Sequence, residues 1–248
     1  MAKTKRILLV MLIMLGPGSI IYFISKTVNN HFIRLPYLGY EFDLDSNGNK
    51  IDSTAYTVPE FNLTTLDGSA ITKKDIDGKF IVLTTLQNAC PDMSQCGMSV
   101  YHFNEIFFEK LIKNQDNYGN VRVLSILTDV DGNPITEPTQ KFKDEMHQYD
   151  TTGIWWMATG DVAPFYNFNY YGDKFINHLA SNKDGEIGLK AYTNSIVLID
   201  DKGFIRGVSG AKTDSHIRNF FDMLKLLKKE EFDRNRAEEE AAEKAAEA

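Results

Sequence analysis

Apolar and polar positions along this chain fall into blocks that predict a sheet flanked by helices. The apolar runs 79–86 and 121–127 are typical of strands buried on both faces. Between them, apolar residues recur every three or four positions from Val100 to Leu111, which predicts a helix with one apolar face. Two buried strands joined through a helix indicate a parallel pair at the centre of the sheet.

Shorter patterns extend this core in both directions. They are a hairpin turn at Asn47-Gly48, a strand at 61–64 turning at Asp67-Gly68, a helix over 137–149 with Thr136 as its N-cap, an extended segment at 154–157, a helix from Val162, a polar loop around 173–190, a hairpin of 195–200 and 204–208, and a helix over 214–227. An antiparallel pair that follows parallel strands is typical of the thioredoxin-like fold. We therefore predict an α/β fold with a thioredoxin-like mixed sheet flanked by helices.

The N-terminal residues predict a transmembrane helix ahead of this fold. Basic residues within 1–6 precede the uncharged and mostly apolar stretch 7–25, which is about as long as a bilayer-spanning helix. A cleavable signal peptide is the alternative for the same residues. Because basic flanks stay in the cytoplasm, we expect a single-pass protein of a bacterial-type cytoplasmic membrane. Its domain then faces the periplasm or the cell exterior.

Composition divides the rest of the chain. A linker or lead-in spans 26–55, a thioredoxin-like domain spans 56–232, and an Ala/Glu-rich charged tail at 233–248 predicts a solvated helix. The net charge of −7 argues against a nucleic-acid partner.

The chain contains 2 cysteines, Cys90 and Cys96, which follow directly on the first buried strand. An exported domain permits disulfides, and a thiol just before a helix is shifted towards the thiolate. Thiolates are the nucleophiles of disulfide exchange and the preferred ligands of Cu(I). An unbroken helix through both cysteines would separate their α-carbons by about 9 Å, whereas a disulfide requires about 7 Å or less. A bond therefore requires the segment between them to loop, with the regular helix starting near Gly97 or Ser99.

Several short motifs occur along the core in a set order. They are Val58-Pro59-Glu60-Phe61 before the Asp67-Gly68 turn, Cys90-Pro91-Asp92 after the strand, Trp156 through Asp161, and Ser195 through Asp200 with Lys202-Gly203. From about Tyr56 to Glu230 the chain resembles the SCO/SenC family of membrane-anchored, thioredoxin-fold proteins that handle copper during assembly of cytochrome c oxidase. The resemblance implies copper as the bound metal, with Cys90 as a ligand in the family's position and Cys96 as a second ligand displaced from it. It also implies a protein partner such as a respiratory oxidase subunit or another cysteine-containing protein.

Two positions depart from that family's pattern. The family's second cysteine comes four residues after the first, where this chain has Ser94, and the nearest thiol is Cys96. The family's third copper ligand is a histidine before the last hairpin, where this chain has Asn194. A hydroxyl and an amide are poor ligands for Cu(I), so only Cys90 matches in place. His178 is a candidate replacement ligand, although a lone loop histidine is more often solvated.

Three functions stay open on these residues. The first is a copper-handling assembly factor with an altered site, and the second is a membrane-tethered thiol–disulfide oxidoreductase in which Cys90 attacks and Cys96 resolves. The third is a non-catalytic relative with a structural disulfide and a partner-binding surface. Ser94 and Asn194 count against the first function and against neither of the others. Met93 and Met98 are candidate thioether ligands, although we expect Met98 to pack in the core.

Overall fold

The computed structural model describes residues 34–88, 97–150, 152–180 and 194–246, together with Ser19 and Tyr22. By its internal contacts the chain divides into two units, Met1–Arg34 and Leu35–Ala248. Among the described residues no helix is long and apolar enough to cross a membrane. The predicted anchor at 7–25 lies almost wholly outside them and stays a prediction.

In chain order, the strands of the described part are β1 (Tyr40–Leu44), β2 (Lys50–Ala55), β3 (Asn62–Thr65), β4 (Ala70–Thr72), β5 (Phe80–Gln87), β6 (Val121–Thr128), β7 (Trp155–Thr159), β8 (Asn169–Tyr170), β9 (Asp173–Lys174), β10 (Ser195–Ile199) and β11 (Ile205–Gly210). The helices of the same part are α1 (Lys73–Ile76), α2 (Val100–Phe103), α3 (Glu109–Lys113), α4 (Gln115–Tyr118), α5 (Gln140–Asp150), α6 (Ala163–Tyr166), α7 (Phe175–Ala180) and α8 (Asp214–Ala246). A π-helical stretch, Asn104–Phe108, joins α2 to α3.

The main sheet has the strand order β11-β10-β5-β6-β7-β3-β4. Strands β5, β6 and β7 are parallel, while β10 runs antiparallel to β5 and β11 antiparallel to β10. The β3–β4 hairpin adds an antiparallel edge beyond β7. Three parallel strands followed by an antiparallel pair form the thioredoxin-like arrangement, so the predicted α/β fold class is confirmed.

Both faces of β5 are buried because helices or connecting segments cover the sheet on each side. Phe80, Val82 and Leu86 enter a core shared with α2, α3, α5 and α8, whereas Ile81 and Leu83 enter a second core shared with α6 and α7. Alternate side chains of a strand point to opposite faces, so a strand between two cores reads as one continuous apolar run. Burial on both faces therefore explains the continuous apolar runs at 79–86 and 121–127.

The predicted apolar helix at Val100–Leu111 is confirmed, but the π-helical stretch interrupts it. Ile106, Phe107 and Phe108 are consecutive, and all three are buried. In a regular α-helix three consecutive residues cover more than half of the circumference, so they rarely face one core. The wider π-turn brings these three side chains onto the core side.

The helix predicted over 137–149 starts later than its pattern suggests. It begins at Gln140, and Thr139 caps it by accepting a hydrogen bond from the Phe142 amide at 3.3 Å. The expected N-cap, Thr136, was therefore wrong. Pro138 disfavours helical geometry at the residue before it, which moves the start to the next hydroxyl along the chain.

The polar loop predicted around 173–190 begins as regular structure. Residues 173–180 form β9 and α7, and residues 181–193 lie outside the described part. Phe175 is buried, with its ring stacked on that of Phe168 at a centroid distance of 4.8 Å. This aromatic contact holds residues 173–180 against the core, although the polar residues around Phe175 favour a loop.

A small second sheet of order β2-β1-β8-β9 includes the lead-in. The predicted turn at Asn47-Gly48 is confirmed, and Asp45 stabilises it by accepting hydrogen bonds from the amides of Asn47 and Asn49. Tyr40 of β1 pairs with Asn169 of β8. The lead-in hairpin is thereby hydrogen-bonded to the rest of the domain.

A buried arginine joins the first residue of the unit Leu35–Ala248 to the last helix of that unit. Arg206 of β11 pairs with Asp200 at 3.0 Å and with Glu230 of α8 at 2.6 Å. It also donates to the Leu35 carbonyl at 2.6 Å, and the Leu35 amide donates to Glu230. We call these four residues the Arg206 cluster. Because Asp200 follows β10, which is antiparallel to β5, the cluster lies at the end of the sheet opposite to Gln87.

Candidate functional site

The candidate site lies at the edge of the sheet where the parallel strands β5 and β6 end. Pairing continues one residue beyond β5, since the Asn88 amide donates to the Thr128 carbonyl at 2.8 Å. Ligand and active sites of open α/β sheets form outside this carboxyl edge. Cys90 and Cys96 lie outside the described residues, which stop at Asn88 and resume at Gly97. The site is therefore known from the residues on either side of the cysteine segment, 89–96.

Gln87, the last residue of β5, connects three parts of this edge. Its side-chain amide donates to the Val130 carbonyl at 3.1 Å. Its side-chain oxygen accepts a hydrogen bond from the Gly97 amide at 3.0 Å. One side chain thus joins the end of β5 to Gly97, the residue after the cysteine segment, and to the loop that follows β6.

Asn88 fixes a different neighbour. Its side-chain oxygen accepts hydrogen bonds from the Thr139 amide at 2.9 Å and from the Thr139 hydroxyl at 3.3 Å. Because Thr139 is the N-cap of α5, the start of that helix is held against the end of β5. The cysteine segment consequently begins from a residue that is fixed by side-chain and backbone bonds.

The helix after the cysteine segment begins at Val100. Ser99 is its N-cap, with a hydroxyl that accepts from the His102 amide at 3.4 Å, and Gly97 and Met98 before it are bends. The sequence required a helix start near Gly97 or Ser99 if the two thiols are to bond, and the observed start meets that requirement. The bond itself lies outside the described residues and stays a prediction.

The loop after β6 forms one side of the site. Asp129 accepts hydrogen bonds from the amides of Asp131 and Asn133, both at 2.8 Å, and so closes the loop on itself. Burial alone would raise the pKa of Asp129, but hydrogen bonds from Asn133 and the loop backbone outweigh it and lower the pKa. Val130 is 40% exposed at the tip of this closed loop. The edge therefore carries a fixed negative charge and an exposed apolar side chain.

Asn194 lies at the same edge of the sheet. The antiparallel register of β10 with β5 pairs Val197 with Leu83 and Ile199 with Ile81. Extending this register places Asn194 opposite Leu86, next to the end of β5. The Asn194 carbonyl accepts from the Ala211 amide at 2.8 Å, which holds its backbone in place. Asn194, which the resemblance aligns with the family's third copper ligand, thus lies beside the end of β5.

The other candidate ligands lie elsewhere, except Met93, which lies outside the described residues. Met98 is 7% exposed, and its sulfur contacts the Thr84 hydroxyl at 3.6 Å, which confirms the prediction that it packs in the core. His178 lies on α7 and not in a loop, with its ring against those of Tyr170 and Tyr171. Across the described ranges no three His, Cys, Asp or Glu side chains come together in a way that could hold a metal ion.

Sequence reasoning missed the roles of Gln87, Asn88 and Thr139. A usable signal was present, since two amide side chains directly follow an apolar run at the end of a core strand. Polar side chains in that place face the carboxyl edge, where they can hold the loops of the site. Their partners, at Gly97 and Thr139, could not be read from local spacing.

No protein-family model matches this chain, and no curated protein matches it. Among solved structures it is similar to a SCO1/SenC family lipoprotein from Bacillus anthracis, at 20% identity and a TM-score of 0.43 over 69% of this chain and 95% of that chain. It is similar to BsSco, a member of the Sco family of cytochrome c oxidase assembly proteins, at 15% identity and a TM-score of 0.44 over 70% and 94%. It is also similar to a thiol peroxidase from Chromobacterium violaceum, at 15% identity and a TM-score of 0.44 over 80% and 93%. The solved structures similar to this chain thus include members of the family whose motifs its sequence resembles.

Proposed function

We propose that this chain is a membrane-anchored, SCO/SenC-like protein that carries out thiol–disulfide exchange through Cys90 and Cys96. The observation that carries the proposal is the amide of Asn194 at the carboxyl edge, in the place of a soft third ligand. The edge therefore offers two thiols for redox chemistry and an incomplete ligand set for Cu(I). Its substrate is a cysteine-containing protein outside the cytoplasmic membrane, with an assembling respiratory oxidase subunit as the leading partner.

The reaction needs only the two thiols and the partner's disulfide. The Cys90 thiolate attacks one sulfur of that disulfide, forming a mixed disulfide and releasing the partner's first thiolate. The Cys96 thiolate then attacks the Cys90 sulfur, which breaks the mixed disulfide and releases the second partner thiol. The partner gains two electrons, and this chain becomes the Cys90–Cys96 disulfide. A reducing dithiol protein restores it by the same exchange in reverse.

The frame of the site supports this role. Gln87 holds the two ends of the cysteine segment together, and the helix starts only at Val100. An unbroken helix through both cysteines would keep them beyond bonding distance. A late helix start is therefore the geometry that disulfide formation requires.

Copper handling is the second candidate, because Cys90 and Cys96 supply two thiols and thiolates are the preferred ligands of Cu(I). Two thiolates bind Cu(I), but the amide oxygen or nitrogen of Asn194 is a poor third ligand. Met98, the first described thioether after the cysteine segment, packs in the core with its sulfur 3.6 Å from the Thr84 hydroxyl. The fit to a three-ligand copper site is therefore poor, and Cu(I) would be a weakly held cargo.

Trapping of mixed disulfides tests the exchange reaction. In Cys96→Ser the attacking thiol has no resolving partner, so a disulfide-containing peptide should accumulate as a stable adduct on Cys90. In Cys90→Ser the adduct should be much less abundant, since Cys96 is the resolving thiol. Equal trapping in both variants, or trapping in neither, would contradict the assignment of roles.

Competition with a Cu(I) chelator separates the two candidates. We expect the reduced chain to bind Cu(I) more weakly than Asn194→His, in which the third ligand is restored. Cys90→Ser should lose binding in either background. Binding by the unmodified chain as tight as by Asn194→His would instead favour the copper-handling function.

A further inference from the structure

We propose that Gln87 is a positioning residue that sets how readily Cys90 and Cys96 form their disulfide. The inference rests on the proposed thiol exchange and names the side chain that regulates its equilibrium. Gln87 is not itself a reacting group. It acts by holding together the two ends of the chain segment that carries both thiols.

The orientation of this side chain is fixed by its partners. The Val130 carbonyl can only accept a hydrogen bond, and the Gly97 amide can only donate one. Rotating the Gln87 amide by half a turn would place donor against donor and acceptor against acceptor. The two bonds therefore hold in one orientation only, and each supports the other.

The link spans a segment that could otherwise separate its ends widely. A chain of the length of residues 88–96 can reach about 30 Å when it is extended. The hydrogen bond instead keeps Gly97 within one side-chain length of β5, and Gly97 and Met98 are both buried after it. Restricting the ends of a short segment raises the effective concentration of two groups within it.

Coupling between this link and the disulfide must be reciprocal. If the Gln87–Gly97 bond favours the approach of the two thiols, then forming the disulfide favours the bond by the same factor. The size of this factor is limited by the strength of one neutral hydrogen bond, so we expect a change of about two- to tenfold. The Gly97 amide should also exchange more slowly with solvent in the oxidised chain than in the reduced chain.

The test compares Gln87→Met with the unmodified full-length chain. Methionine keeps the length and packing of the side chain but can neither donate to Val130 nor accept from Gly97 in the same way. Both proteins are equilibrated with reduced and oxidised glutathione at pH 7, and the fraction carrying the Cys90–Cys96 disulfide is measured by mass after quenching. We expect the equilibrium constant for disulfide formation to fall about two- to tenfold in Gln87→Met.

Ser125→Ala serves as the matched control for lost stability. It removes the partner of the buried Trp155 indole N–H, which donates to the Ser125 hydroxyl at 2.9 Å, without touching either end of the cysteine segment. Its disulfide equilibrium should equal that of the unmodified chain, although its urea midpoint falls. Equal equilibria in Gln87→Met and the unmodified chain, or an equal drop in Ser125→Ala, would overturn the role of Gln87.

Amide exchange at Gly97 keeps this inference separable from the proposed function. If the unmodified chain forms no disulfide with glutathione, the proposed thiol exchange is wrong. The link made by Gln87 is then tested by amide exchange in the reduced protein. There Gln87→Met should speed exchange of the Gly97 amide severalfold, while Ser125→Ala should not. An unchanged Gly97 exchange rate would show that Gln87 does not hold the segment ends.

Discussion

Replacing Arg206 with methionine should be among the most destabilising single changes in this domain. Arg206 is 6% exposed and Asp200 is 4% exposed, so both charges of their pair lie away from water. The same guanidinium binds Glu230 and the Leu35 carbonyl. Burial by itself lowers the pKa of Arg206, but hydrogen bonds to Asp200 and Glu230 outweigh it and raise the pKa, which keeps the guanidinium charged.

The magnitude follows from what the change leaves behind. Removing one partner of a buried ion pair typically costs about 3 to 5 kcal/mol, because the other charge is left buried without its counterion. Here Asp200 keeps hydrogen bonds from the amides of Lys202 and Phe204, and Glu230 keeps the one from Leu35. These remaining bonds offset part of the loss, so we expect about 3 kcal/mol for Arg206→Met.

Urea unfolding of the full-length chain, followed by circular dichroism, measures this cost. With an m-value of about 3 kcal/mol per M, the midpoint should fall by about 1 M. Arg236→Met is the matched control, because Arg236 is 68% exposed and pairs with Glu240 on the surface of α8 at 3.0 Å. Its expected cost is below about 0.5 kcal/mol. Equal midpoints for the two variants would refute the claim that the Arg206 cluster stabilises the domain.

Three further changes test other parts of the fold. Burial raises the pKa of Tyr56 to about 12, and because the folded chain then holds this proton more tightly than the unfolded chain, stability should fall as the pH rises from 10 to 12. Tyr56→Phe should flatten that fall and cost about 1 kcal/mol at neutral pH through its lost hydrogen bond to the Pro164 carbonyl, as seen in urea midpoints at each pH. Ser125→Ala should cost about 1 to 3 kcal/mol by leaving the Trp155 N–H buried without its acceptor, and an unchanged thermal midpoint would contradict this. Gly160→Ala should lower the thermal midpoint, because φ is +139° there and a β-carbon would lie 2.6 Å from a leucine side chain, whereas an unchanged midpoint would show that the strand end relaxes freely.

The parts of the fold that depend on local pattern were predictable from the sequence. The continuous apolar runs at 79–86 and 121–127 correctly indicated strands covered on both faces, and the last hairpin was visible from its turn residues. Pro138 was a local signal against a helix start at Glu137, whereas the bond from Thr139 to Asn88 that holds the start of α5 in place could not be predicted. A tertiary contact of this kind leaves no periodic signal.

The location of the candidate site could be predicted from the sequence, but only part of its structure could. The cysteines follow β5 in the sequence and Asn194 precedes β10, and the strand register places Asn194 beside the end of β5. The link from Gln87 to Gly97 could not be predicted, because hydrogen bonding between a strand end and a distant amide has no sequence period. The π-helical stretch was likewise missed, since Phe103, Phe107 and Leu111 fit an α-helical stripe and the burial of Ile106 and Phe108 beside Phe107 is a tertiary effect.

The reduction potential of the Cys90–Cys96 pair tests the proposed thiol exchange most directly. It is measured on the full-length chain by equilibration with dithiol and disulfide buffers of known potential, with the single-cysteine variants as blanks. Exchanging thiol proteins have potentials of about −120 to −270 mV, and we expect this pair to fall within that range. A value below about −300 mV would mark the disulfide as structural and contradict the proposed function.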